Sequence, residues 1–246
     1  MIRYFHNFEE MTISPLDDGT LDIWILSIPK IFSYYESLQR LLTDTEMKQT
    51  LSFYRLQDRN RAILSRGLLR YFISQYLKKD NKTIQFRYGS YGKPFLTNNT
   101  LQFNLSHSHD FIAFAFMNSE PVGIDIEYKQ PLTDDLVSLL ASISSTYDIN
   151  HFQQIPKVKR FDIFYYLWTM KEAYGKLLGK GLHSGLCDID IISFAEKLVN
   201  DRESPQFMGI GNYAVLSGFP LQGFASAVAC KSIPKAYNFY LLASES

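Results

Sequence analysis

Val122-Gly123-Ile124-Asp125-Ile126-Glu127 is the stretch from which the rest of the chain can be read. Apolar and other residues alternate in it, which is the period of a β-strand. Successive side chains of a strand point to opposite faces, so Asp125 and Glu127 share one face and Ile124 and Ile126 share the other. The isoleucine face suits a core. The acidic face carries two like charges that repel unless something neutralises them. A hard divalent cation such as Mg2+, which takes carboxylate, water and phosphate oxygens, is one neutraliser. Water is another, and an isolated acid-x-acid pair is more often a wet strand face.

Before this strand, Asn118-Ser119-Glu120-Pro121 has turn composition and residues 111–117 are strand-like. Further back, residues 101–105 suit a short strand, Ser106-His107-Ser108-His109-Asp110 a polar loop, and Tyr88-Gly89-Ser90-Tyr91-Gly92-Lys93-Pro94 a glycine-rich turn. Residues 44–76 are mostly helical in pattern: Ile63, Leu64, Leu68, Leu69, Phe72, Ile73, Tyr76 and Leu77 recur at three- and four-residue steps. Residues 21–28 suit a buried strand. After the acidic strand, residues 132–156 mix helix formers with Ser, Thr and Asn. Residues 161–178 form a helical pattern stopped by Gly179 and Gly181. Strands are expected over 187–194, 211–216, 223–230 and 236–242. The segments 111–116 and 224–229 look alike, which suggests a duplicated α+β unit divided into halves 1–119 and 120–246.

The chain has 246 residues, 46% of them hydrophobic, which is enough for a sizeable core and excludes a disordered or collagen-like chain. Lys plus Arg and Asp plus Glu are 25 each. The whole molecule therefore has no pull toward nucleic acid or a membrane surface, and an anionic ligand must be held by a local cluster of cations. Cys187 and Cys230 are too few for a disulfide framework or a structural zinc set, although a bridge between the two stays open. The first ten residues lack the apolar stretch of a signal peptide. The longest apolar run, 111–117, is far short of the roughly 20 residues that span a bilayer as a helix. The expectation is a cytoplasmic protein that binds neither membrane nor nucleic acid.

A second chemical pair lies in Trp168-Thr169-Met170-Lys171-Glu172-Ala173-Tyr174-Gly175-Lys176. Glu172 and Lys176 are four apart and share a helix face; alone they would be an ordinary surface pair. Trp168 and Gly175 fall on the same side. A mid-helix glycine costs about 1 kcal/mol relative to alanine, so close approach of a ligand or a backbone is one reason to keep it. Lys93, stiffened by Gly92 and Pro94, suits a phosphate or a plain exposed turn. His107, next to Ser106, suits a phosphate or a loop contact. No H-E-x-x-H, G-x-S-x-G or Walker-type loop occurs.

In this order, Tyr91-Gly92-Lys93-Pro94, Phe103-Asn104-Leu105-Ser106-His107-Ser108, Val122 to Glu127 and Trp168 to Lys176 resemble the 4′-phosphopantetheinyl transferase superfamily, of the surfactin-synthetase-activating (Sfp) type. The family patterns G-[IV]-D-x-E and W-[ST]-x-K-E-[AS]-x-x-K are met at every position, and the resemblance runs from about Phe53 through Leu182. It implies an α+β fold of two similar halves in pseudo-twofold arrangement, with the active site between them, acting as a monomer with an internal pseudodimer. It implies transfer of the phosphopantetheine arm of coenzyme A to a serine of an apo acyl, peptidyl or aryl carrier protein, releasing adenosine 3′,5′-bisphosphate. By the same resemblance Asp125, Glu127 and Glu172 would hold Mg2+. Glu172 and Lys176 would be catalytic, and Arg61, Lys93, Ser106, His107 and Lys176 would contact coenzyme A. Lys171 is expected to support the helix. The family often carries several basic residues before the Phe-Tyr-Arg segment; here residues 45–52 offer only Lys48. The carriers would dock on 132–156 through Leu136, Leu139, Leu140, Ile143 and Phe152, unless these cover a core. Nonribosomal peptide, polyketide and siderophore synthesis are the expected settings. Two other readings are a non-catalytic coenzyme A or carrier-binding module and a Mg2+-dependent coenzyme A pyrophosphatase.

Overall fold

The computed structural model describes residues 2–97, 100–131, 135–179, 189–201, 205–210, 212–219 and 221–243. Its strands are β1 (Ile2–Phe5), β2 (Thr20–Ser27), β3 (Phe86–Tyr88), β4 (Pro94–Leu96), β5 (Leu101–Ser108), β6 (Phe111–Asn118), β7 (Val122–Tyr128), β8 (Gln206–Ile210), β9 (Tyr213–Ser217), β10 (Phe224–Cys230) and β11 (Ala236–Leu242). Its helices are α1 (Ile28–Ile31), α2 (Tyr35–Gln39), α3 (Asp44–Leu51), α4 (Leu56–Leu77), α5 (Leu136–Ala141), α6 (Thr146–Gln154), α7 (Lys157–Leu178) and α8 (Ile192–Asp201).

The strands form a mixed sheet, β1-β11-β2-β6-β5, an antiparallel sheet, β7-β10-β9-β8, and the separate β3-β4 hairpin. Strand alternation stacks the two sheets and two long helices in layers. On β2 and β6, Trp24, Leu26, Phe114 and Phe116 face α4 and pack with Leu64, Leu68 and Phe72. Their neighbours Leu21, Ile23, Ile25, Ala113, Ala115 and Met117 face the second sheet and meet Val122, Ile124, Ile126 and Val228 there. On the far side of the second sheet, Ala225, Ala227 and Ala229 of β10 pack under Ile163, Met170, Ala173 and Leu177 of α7. Each sheet thus carries one 22-residue helix on its outer face. The α+β architecture in two similar halves is the one expected.

Several element assignments from sequence need correction. Ser106, His107 and Ser108 are not in a loop: the β5–β6 ladder pairs them with Ala113, Ile112 and Phe111. The turn is only His109-Asp110, with His109 in the left-handed region at φ 48°. The helical stretch 44–76 is two helices, and α3 is closed by a capping box from Thr43 to Glu46. Helix α7 begins at Lys157, earlier than the apolar pattern suggested, and ends where Gly179 takes φ +64°. The strand expected over 187–194 is absent from its described part. There α8 starts at Ile192 and buries Ile192, Ala195 and Leu198 at helical spacing. The β-branched residues Ile189, Ile191 and Ile192 imitated a strand. Cys187 and Gly181 lie outside the described residues, and Cys230 is a buried free thiol. No described helix is long and apolar enough to cross a membrane. The turn near 118–121 separates β6 from β7, and β11 crosses back to the first sheet, between β1 and β2.

Candidate active site

Strand β7 is an edge of the second sheet, and its residues Asp125 and Glu127 lie opposite Ala227 and Ala225 of β10. Alanines keep that face low, so α7 comes down onto it. Gly123 brings helix and strand into backbone contact: a Cβ there would stand 2.1 Å from the Ala173 carbonyl oxygen and 2.4 Å from the Leu177 nitrogen. This contact explains the glycine of the G-[IV]-D-x-E pattern without any ligand. With the crossing fixed, the strand period aims Asp125 and Glu127, and the helix period aims Glu172 and Lys176, into one cavity of about 330 Å3. Leu105, Ser106 and His107 complete its lining.

The third wall is β5, the edge of the first sheet. The two edges are joined by side chains of β5 rather than by a backbone ladder. Asn104 Oδ1 accepts the Ile124 N–H at 2.9 Å. Ser106 Oγ donates to Asp125 Oδ1, and Ser108 Oγ donates to Glu127 Oε2, both at 2.9 Å. Ser108 Oγ also accepts the Tyr128 N–H at 2.9 Å. Lys176 Nζ lies 2.7 Å from Asp125 Oδ1 and donates to Ser106 Oγ at 2.9 Å. Neither Asn104 nor Ser108 was singled out from the sequence. The alternation Asn104, Ser106, Ser108 was the available signal, hidden by reading the last two as loop.

The cavity is electrostatically strained. Burial, followed by the Asp125 charge, pushes Glu127 up to about 7 against the Ser108 hydrogen bond and Lys176. Burial and Asp125 likewise push Glu172 up to about 7, with Lys176 opposing and Glu127 adding to the rise. Asp125 is buried, and its Oδ2 has no hydrogen-bond partner. An orphaned buried carboxylate oxygen flanked by two mutually repelling carboxylates fits a hard cation. Among the described residues no group of three or more metal-type side chains already forms a cage. The His107 imidazole keeps an exposed edge, yet the protein packed round it removes enough water, with the charges of Arg61 and Lys176, to hold it below its ordinary range; Asp125 opposes.

The other sequence candidates are placed as follows. Lys93 does not reach into the cavity. Its ammonium donates to the carbonyls of Val122 at 2.8 Å, Lys176 at 2.7 Å and Leu177 at 3.4 Å. Burial lowers its pKa to about 8. Arg61 pairs with Asp58 at 3.3 Å and borders a separate hollow of about 300 Å3 with Gln57, Asn60 and His109. Arg59 donates to the Phe53 carbonyl and Arg66 to that of Glu46. Gly175 lines a slot beside Tyr91, Gly92 and Lys93. Trp168 stacks at a tilt on Phe164, 5.8 Å between centroids, against the second core. Leu140, Ile143 and Phe152 are fully buried in that core, and Leu136 and Leu139 pack on it, so they offer a carrier little surface. Leu132 lies outside the described residues. A larger hollow of about 790 Å3 borders Lys129, Asp162 and Phe219, but its lysine and aspartate are paired with each other at 2.7 Å.

Comparison with known proteins agrees with this geometry. Residues 121–208 match the family described as the 4′-phosphopantetheinyl transferase superfamily. Residues 30–119 match the family described as 4′-phosphopantetheinyl transferase, N-terminal. The chain is 32% identical over 164 residues to the 4′-phosphopantetheinyl transferase HetI of Nostoc sp., covering 65% of this chain and 69% of that one. It is 31% identical over 169 residues to the 4′-phosphopantetheinyl transferase Sfp of Bacillus subtilis, covering 68% and 71%. It is 30% identical over 187 residues to a phosphopantetheinyl transferase of Thraustochytrium sp., covering 68% and 64%. The layered halves, the cavity between their edge strands and these matches together show that the chain belongs to the 4′-phosphopantetheinyl transferase superfamily, as a member of the Sfp type.

Proposed function

We propose that the protein transfers the phosphopantetheine arm of coenzyme A to a serine of an apo carrier protein, releasing adenosine 3′,5′-bisphosphate. The supporting observation is the single cavity lined by Asp125, Glu127, Glu172, Lys176, Ser106 and His107. In this reading Asp125, Glu127 and Glu172 would hold Mg2+, and the buried Oδ2 of Asp125, which has no hydrogen-bond partner, would gain one in the ion. When bound, the cation neutralises charge on the pyrophosphate oxygens. The serine oxygen of the carrier bonds to the phosphorus that bears the pantetheine arm. Its proton passes to Glu172, and the bond from that phosphorus to the bridging oxygen breaks. Lys176, already set between Asp125 and Ser106, neutralises the departing phosphate. His107 donates to a coenzyme A oxygen, since a neutral imidazole still has one N–H to give, and Ser106 joins it only by turning its single proton from Asp125 to the substrate. Arg61 meets the nucleotide from the edge of the site. Lys93 serves this reading by fixing the helix end that carries Lys176.

The same reading takes residues 1–119 and 120–246 as the two halves of a monomer working in the cytoplasm, with β11 of the second segment returned to the sheet of the first. It assigns the carriers to nonribosomal peptide, polyketide or siderophore synthesis. The test is intact-mass spectrometry of apo peptidyl and fatty acid carriers incubated with the protein, coenzyme A and Mg2+. Each served carrier gains one phosphopantetheine, the gain is lost with EDTA, and folded Glu172→Gln gives none. Coenzyme A binding without transfer to any carrier would leave a binding module. Carrier-independent release of adenosine 3′,5′-bisphosphate would make the protein a pyrophosphatase.

A further inference from the structure

We infer that Ser108 is a positioning residue that sets the Glu127 carboxylate in the cavity between the two edge strands. The seam that joins β5 to β7 repeats with the period of a strand. Ser106 meets Asp125 and Ser108 meets Glu127 with the same sequence separation of 19 residues. Side chains two apart on one strand therefore serve side chains two apart on the other, and the constant separation shows that the two edges run in the same direction. At the second step the geometry of the hydroxyl is fully determined. Ser108 Oγ accepts the Tyr128 N–H at 2.9 Å, so its own proton is free to point at Glu127 Oε2, also 2.9 Å away. A hydroxyl offers one donor and a short arm, so it holds the carboxylate from a fixed point on the backbone next door. With one oxygen of Glu127 engaged in this way, the other is directed by the seam rather than by solvent. Ser108 lies outside the set first assigned to the site and touches no reacting atom. Its effect passes through Glu127.

The inference rests on the reading of Asp125, Glu127 and Glu172 as a divalent-cation site, and its test separates the two. Mn2+ binding to the full chain is titrated without coenzyme A by electron paramagnetic resonance, for the parent, Ser108→Ala, Ser108→Thr, Glu127→Gln and the double variant Ser108→Ala/Glu127→Gln. Loss of a partner that orients a metal ligand weakens binding roughly tenfold or more, which is the effect expected for Ser108→Ala. Ser108→Thr keeps the hydroxyl and binds as the parent does. In the Glu127→Gln background Ser108→Ala adds nothing, because the carboxylate it oriented is gone. Parent-like binding by Ser108→Ala while Glu127→Gln is weakened would overturn the inference and leave the cation site standing. So would an undiminished loss in the double variant, which would trace the effect to general loosening of the seam. Parent-like binding by Glu127→Gln would remove Glu127 from the cation site, and the role of Ser108 with it.

Discussion

Lys93 shows how far a residue's chemistry can be read before its surroundings are known. Its place between Gly92 and Pro94 suggested an ammonium offered to a phosphate, yet three carbonyl oxygens of β7 and α7 take it up. Strand and helix periods fix where a Cβ points, which is why Asp125, Glu127, Glu172 and Lys176 were legible as neighbours of one cavity. A four-carbon side chain leaving a turn has no such period to guide it. The burial of Lys93 has a measurable consequence. Its pKa falls from 10.5 to about 8 in the folded chain. Between those values the unfolded chain binds more protons than the folded one, so this lysine's contribution to stability rises with pH. The denaturation midpoint of Lys93→Met should therefore fall further behind the parent at pH 9.5 than at pH 7.5. A gap that stays constant would mean that the three carbonyls offset the burial and keep the ammonium charged up to its ordinary range.

Helix α7 carries half of the cavity, and what holds it lies on its opposite side. Lys171 is fully buried, with Nζ 2.7 Å from Asp148 Oδ2 of α6 and donating to the Ile189 carbonyl at 2.8 Å. Asp148 Oδ1 accepts the N–H of Ile192, the first residue of α8, so one ion pair ties three elements. Lys171→Met would strand a buried carboxylate and cost about 3–5 kcal/mol. Chemical denaturation should show that loss, with partial recovery in Lys171→Met/Asp148→Asn, whose amide oxygen still serves Ile192. A loss under about 1 kcal/mol would mean that the pair contributes no more than an exposed one. The sequence supports a helping role for Lys171, because its position next to Glu172 turns it to another face. It does not announce α8, since Ile189, Ile191 and Ile192 favour a strand by propensity and only the packing against α7 makes them otherwise. The serines of β5 were hidden for the converse reason: polar residues in a strand look like a loop until a second edge strand is there to receive them.

The molecule as a whole is two sheets back to back between two long helices. Its strands β2, β6, β7 and β10 were legible in the sequence, but the stacking of the sheets was not, because β2, β6 and β10 are buried on both faces and their sequence does not say which face meets which layer. The route of the last strand was not. Residues 236–242 read as a strand like the others, and nothing local says which sheet will take it. In the structure β11 lies between β1 and β2, parallel to both, and sends Phe239 and Leu241 into the middle core and Tyr240 and Leu242 into the first. A chain ending at residue 234 should therefore lose the first sheet and not only its own tail, with near-complete loss of cooperative unfolding by circular dichroism. A soluble truncated chain with a sharp transition would refute that dependence. The contact from Asn238 to Asp22 spans 216 residues. At ribosomal rates of about 5–20 residues per second, β2 waits on the order of ten seconds or more for its neighbour. During that interval an emerging chain presents an open, strongly apolar strand edge, the kind of surface that chaperones bind and that sticks to its own copies. The two halves of the enzyme therefore cannot be completed one after the other as they leave the ribosome; the first is finished last.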